Sequence, residues 1–202
     1  MRLMLKLSSK IKIVACSLFV KAHWPARELA IRGLIVRHFL STGTTRREMI
    51  RLVDVGCGLG WLAETAESLR AAYLGVDPKP LPGRTDIIQG RASDVAEHLR
   101  ARDIVIVNGT AHHLDDTEFE SLMSMAQGAE GVIVCDHARD ESTPIQSRLL
   151  QSLDRGRHVR SFSEFTSVAG WHLLETVRFP IRIAGVVAWD YFASAYQPKA
   201  LE

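Results

Sequence analysis

The chain has 202 residues, 47% hydrophobic and 24% charged, with a formal net charge of +2, which permits one sizeable core and excludes a disordered or repetitive chain. The charge is uneven: residues 1 to 48 carry ten Lys/Arg and two Asp/Glu, residues 49 to 202 fifteen and twenty-one. The acidic remainder would repel phosphates, so a nucleic-acid partner is disfavoured. Cysteines at positions 16, 57 and 135 show neither a disulfide framework nor metal-ligand spacing, which favours a reducing, cytoplasmic setting.

In chain order, Lys6, Lys10 and Lys12 precede an apolar run from Ile13 to Val20. Eight apolar residues are too few to span a bilayer, which needs about 20. A basic start and short apolar centre also suit a signal peptide, but Lys21, His23 and Trp24 follow at once. An amphipathic helix fits better, as a lid over a ligand site in preference to a peripheral membrane contact. Pro25 marks a break, and Leu29, Ile31, Leu34, Ile35 and Phe39 predict a second helix. The chain thus divides into a basic helical cap, 1–48, and a main domain, 49–202.

Residues 51 to 64 write a strand, a glycine hairpin and a helix start consecutively. Val53 and Val55 suit a buried parallel strand, while Leu62, Thr65, Ala66 and Leu69 recur at helical spacing. Between them Gly56, Gly58 and Gly60 allow a tight turn and close backbone approach to a ligand. A dinucleotide fingerprint would place its third glycine where Trp61 stands. Asp54 adds negative charge where a phosphate would approach, yet it suits a ligand carrying an ammonium group. S-adenosylmethionine (SAM) meets that description.

Asp54-Val55-Gly56-Cys57-Gly58-Leu59-Gly60 resembles the first motif of the class I SAM-dependent methyltransferases. Tyr73-Leu74-Gly75-Val76-Asp77-Pro78 is similar to the family's second strand, whose terminal acid accepts hydrogen bonds from the ribose hydroxyls. Asp77 lies 21 residues after Gly56, the spacing of a strand–helix–strand unit. Ile87 to Asp94 resembles the third strand and its adenine-side loop, although Arg91 stands where the family often has an acid. Asp103 to Gly109 and the following Thr110-Ala111-His112-His113-Leu114-Asp115-Asp116 are similar to the fourth strand and the loop that closes over the methionine part of SAM. The resemblance implies a Rossmann-like α/β fold: seven strands, mostly parallel, with an antiparallel C-terminal hairpin and helices on both faces. It also implies a donor site made of Asp54, Gly56, Cys57, Gly58, Gly60, Asp77, Pro78, Ala92, Ser93, Asn108, Gly109 and His112. For Cys57 itself, a small residue filling a tight loop is a better reading than a nucleophile.

Beyond the fourth strand, Thr117 to Gln127 reads as a helix capped by Asp115-Asp116, with Phe119, Leu122 and Met123 turned inward. Gly131 to Asp136 reads as a fifth buried strand ending in an acid and His137. Asp136 suits a cap and a substrate-facing role equally. Ile145 to Leu153 reads as helix, and Asp154-Arg155-Gly156-Arg157-His158-Val159-Arg160 as a charge-dense turn, whose Asp154-Arg155-Gly156-Arg157 start is similar to a stretch in some small bacterial methyltransferases. A solvated turn is preferred there to a carboxylate clamp by Arg155 or Arg157. Ser161 to Glu164 is a capping box, and Trp171 to Val177 and Ile183 to Tyr191 read as two strands separated by Phe179-Pro180.

Methyl transfer from a sulfonium is an in-line displacement, so alignment and water exclusion dominate. A hydroxyl acceptor needs a base near neutral pKa, which points to the loop histidines, His113 before His137. No metal site is expected, because His112-His113 and Asp115-Asp116 are adjacent on one loop and would not converge on one ion. The favoured function is methyl transfer to an oxygen or nitrogen of a small molecule. Two alternatives are a SAM-using enzyme of other chemistry, such as intramolecular cyclisation of SAM, and a non-catalytic SAM-fold binding protein. The sequence carries no signal for the acceptor or the oligomeric state.

Overall fold

A computed structural model of the protein describes residues 24–40, 50–141, 143–145, 147–148, 151, 156–183 and 186–199. The apolar run 13–20, the turn residues Asp154 and Arg155 and most of the helix expected over 145–153 lie outside the described residues; positions 145, 147, 148 and 151 are helical.

Seven strands form one sheet: β1 (Arg51–Val55), β2 (Ala72–Asp77), β3 (Ile87–Gln89), β4 (Asp103–Asn108), β5 (Gly131–His137), β6 (Trp171–Ile183) and β7 (Val186–Pro198). Their order is β3-β2-β1-β4-β5-β7-β6, with β1 to β5 parallel and β7 antiparallel to both its neighbours. The expected sheet, with its antiparallel C-terminal hairpin, is therefore present.

Side-chain alternation along the central strands supplies both faces of the sheet with a core. Val53, Val55, Val105 and Val107 face one side, with Phe119, Leu122 and Met123 of helix α3 (Asp116–Met125). Leu52, Ile104 and Ile106 face the other, with Leu62 and Ala66 of α2 (Leu62–Ser68). Helix α1, residues 24–35, continues as a π-helical turn, Val36–Leu40, and adds Ile31, Leu34, Ile35 and Phe39 to that second core. A bidentate pair from Arg37 to Glu175, at 2.8 and 2.9 Å, ties this turn to β6. The described part of the basic segment is thus packed on the sheet.

Three local readings change. Pro25 lies within α1, whose described residues begin at Trp24, and does not break it. Leu29 is 71% exposed, off the buried stripe. Phe179-Pro180 does not separate two strands, for β6 runs straight through it, with Pro180 opposite Asp190. The reason is position: β6 is the sheet edge, where a missing N–H can face solvent.

Candidate functional site

The parallel strands end together, so Val55, Asp77, Asn108 and His137 come to one edge of the sheet, where open α/β folds hold their ligands. Gly56, Gly58 and Gly60 all have positive φ, at 70°, 54° and 72°. A Cβ on Gly56 would run into the Thr110 side chain, whereas one on Gly58 would meet nothing within 4 Å. That open face makes the turn approachable. Asp77 stands beside it, its carboxylate accepting from Gly58 N–H at 2.9 Å and Lys79 N–H at 2.7 Å, with lone pairs to spare for two hydroxyls. Pro78 is exposed next to it.

Asp54 is buried and accepts the Tyr73 hydroxyl at 3.0 Å. Burial pushes its carboxyl up to about 7; the Tyr73 bond and the Arg27 charge act against that rise. Burial, together with the charges of Asp54 and Asp77, pushes the Cys57 thiol up to about 12, which suits the filler role and not a nucleophile. Ala92 and Ser93 open the 3-10 turn Ala92–His98 after β3. Ser93 donates to Asp94 at 2.9 Å, and the other Asp94 oxygen accepts Arg91 N–H at 2.8 Å, so Asp94 braces the loop at the position where Arg91 displaces the family's acid.

At the end of β4, the Asn108 amide oxygen accepts two bonds from Arg27 of α1, from Nε at 3.0 Å and Nη2 at 2.6 Å. Arg27 is buried, and its guanidinium lies 5.2 Å from the Tyr191 ring centre. Among the described residues no carboxylate forms an ion pair with it; the Asn108 amide holds this permanently charged group at the ligand edge, and the Asp136 charge acts on it at longer range. Gly109, at φ 64°, leaves room for it: a Cβ there would stand 2.5 Å from Arg27 Nη2.

The loop after β4 and the end of β5 form a second cluster. His112, Asp136 and His137 are all buried, while His113 is exposed. His112 Nδ1 lies 2.8 and 3.0 Å from the two Asp136 oxygens, which also accept the backbone N–H of His112 at 3.1 Å and of His137 at 2.8 Å. Burial alone would raise the Asp136 carboxyl, yet His112 and His137 hold it well below the usual carboxylate range. The His112 ring centre is 4.1 Å from that of His113 and 4.5 Å from that of His137. The adjacent acids are engaged elsewhere. Asp115 caps α3, and Asp116 pairs with Arg160 at 2.8 Å.

Several of these roles escape a reading of the sequence. Arg27 looks like one charge on a solvated helix face, and only the sheet puts Asn108 under it. Arg157, weighed as a clamp, is exposed. It is Arg160, three residues on, that turns inward to the carbonyls of Ala111 at 2.7 Å and Leu114 at 3.0 Å and covers the Phe119 ring. Gly156 lies against the His112 ring, leaving no space for a Cβ. The glycine in the charge-dense turn was the one signal of that contact.

No family model matches the chain. Two curated relatives, each named ubiquinone biosynthesis O-methyltransferase, do: the one from Azorhizobium caulinodans is 30% identical over 106 residues, covering 46% of this chain and 42% of the relative. The other, from Methylocella silvestris, is 27% identical over 118 residues, covering 55% and 46%. The match therefore spans under half the length of either relative. A Burkholderia thailandensis 1,6-didemethyltoxoflavin-N1-methyltransferase, solved with its substrate and S-adenosylhomocysteine, superposes with a TM-score of 0.62 at 14% identity, over 95% of this chain and 91% of that one. At such identity the likeness establishes the fold.

Proposed function

We propose that this chain, a class I SAM-dependent methyltransferase by fold, is an active enzyme that binds SAM at the glycine edge and methylates an oxygen or nitrogen of a small molecule. The observation that carries this is the open face of Gly58 beside the Asp77 carboxylate. The other groups fit the donor in kind. Asp77 would take the ribose hydroxyls, Asp54 the ammonium and Arg27 the carboxylate. Pro78, Ala92 and Ser93 would flank the nucleoside, and Asn108, Gly109 and His112 the methionine part. When bound, SAM supplies a methyl group made electrophilic by its sulfonium.

The names of both curated relatives favour an oxygen acceptor. The exposed His113 imidazole would then take the hydroxyl proton, since His137 is enclosed. Helix α1 forms the described part of a cap over the site, and the setting is the cytoplasm, in keeping with the free thiols of Cys57 and Cys135.

Calorimetric titration with SAM and S-adenosylhomocysteine, with NAD as control, tests the donor site. Micromolar binding of both sulfur ligands and none of NAD is expected. Asp77→Ala should weaken it by about 1.5–3 kcal/mol, a tenfold to hundredfold loss, through the charge-assisted bonds removed. Failure to bind either ligand would sink the reading and favour a non-catalytic role. Once an acceptor is in hand, His113→Asn should lower kcat by roughly a hundredfold or more with SAM affinity unchanged. An unaffected kcat would remove His113 as the base.

A further inference from the structure

We infer that His112, Asp136 and His137 form a site for one divalent transition-metal ion of the zinc class. The three side chains come from two elements that the sheet brings together, the loop after β4 and the end of β5, and their ligand atoms all lie within 4.8 Å of one another. His112 Nδ1 is 2.8 Å and His137 Nδ1 3.2 Å from the same oxygen, Asp136 Oδ1, spacings close to those between ligands around a small ion.

Internal hydrogen bonding explains only part of this cluster. Asp136 and His112 satisfy one another, but His137 is 1% exposed and neither of its ring nitrogens makes a hydrogen bond among the described residues. Its Nδ1 approaches Asp136 without the geometry of a bond. Buried polar atoms are nearly always satisfied, and an imidazole whose Nε2 has no partner among the described residues and whose Nδ1 has only the 3.2 Å approach of Asp136 calls for a ligand.

The donor set selects the ligand class. Two imidazoles and one carboxylate suit Zn²⁺, Co²⁺, Ni²⁺ or Fe²⁺, whereas Mg²⁺ and Ca²⁺ prefer oxygen cages. The surroundings hold these donors in place. The backbone N–H groups of His112 and His137 orient the Asp136 carboxylate, Gly156 seats the His112 ring, and the Tyr191 ring centre lies 5.6 Å from that of His137. Three protein donors leave a coordination position for an oxygen. The carbonyl of Cys135, next in β5, accepts Gly109 N–H at 2.7 Å, so the enclosed ion would adjoin the donor edge and brace the loop that carries His112 and His113; the site itself does not rest on the methyl-transfer reading.

The test is titration of the full chain, stripped by chelator, with Co²⁺ followed by its visible d–d absorption, then displacement by Zn²⁺. One equivalent is expected. His137→Gln, which breaks no side-chain hydrogen bond, should weaken binding roughly a hundredfold, as should His112→Gln. S-adenosylhomocysteine titration of the wild type and of His137→Gln reports the donor site, and circular dichroism of all three proteins reports folding. Absence of the d–d bands in the wild type, or unchanged affinity in a folded His137→Gln variant, would overturn the proposal. Should both variants misfold, wild-type Tm decides, rising with zinc if the site exists and staying still if it does not. Cobalt binding without binding of S-adenosylhomocysteine would leave the metal site standing and remove the donor reading.

Discussion

Asp54 shows how a single buried side chain links ligand choice to stability. Its pKa rises from 3.8 to about 7 on folding, chiefly by burial. A raised carboxyl favours the folded state when protonated. That contribution is complete below pH 3.8 and is lost as pH climbs through about 7, a difference on the order of 4 kcal/mol. Urea unfolding of the ligand-free protein at pH 5 and pH 7.5 should therefore show Asp54→Asn to be less sensitive to pH than the wild type, with the largest relative gain at the higher value. A cationic ammonium group favours the ionised carboxylate, so SAM affinity should rise over the same window. Equal pH slopes in the two proteins would show that Asp54 does not titrate there.

At the scale of elements, α1 is held by apolar packing and positioned by polar contacts. Ile31, Leu34, Ile35 and Phe39 dock it on the sheet, so the helix should survive the loss of Arg27. The guanidinium has a different task. It fixes Asn108 and presents positive charge at the edge. Arg27→Met keeps the apolar stem and removes the charge; it should lower SAM affinity at least tenfold while circular dichroism and Tm change little. An unaltered affinity would reduce Arg27 to a brace for Asn108. The edge strand β6 makes the complementary point, because a proline that reads as a strand break in isolation is tolerated on a strand with one side of its ladder open.

At the scale of the molecule, the donor edge is a consequence of topology. Strands β1, β2, β4 and β5 are parallel neighbours or nearly so, and their carboxyl ends gather residues from positions 54 to 137. Much of this was legible in the chain. Apolar runs bounded by glycines and acids mark buried parallel strands, the alternation of Gly56, Gly58 and Gly60 marks the turn, and Asp115 and Ser161 mark helix starts that the structure caps as expected.

What the sequence alone determined is therefore the order of elements and the glycine turn with its acids, because these depend on backbone freedom, on hydrophobic period and on the 21-residue step from Gly56 to Asp77. Tertiary structure decided the rest. Arg27 meets Asn108 across 81 positions, Arg160 meets Asp116 across 44, and His112 meets Asp136 across 24. Local pattern does not encode those pairings. They follow from which strands lie side by side and which side chains are left facing inward at the edge, and that is settled only when the whole sheet closes over its core.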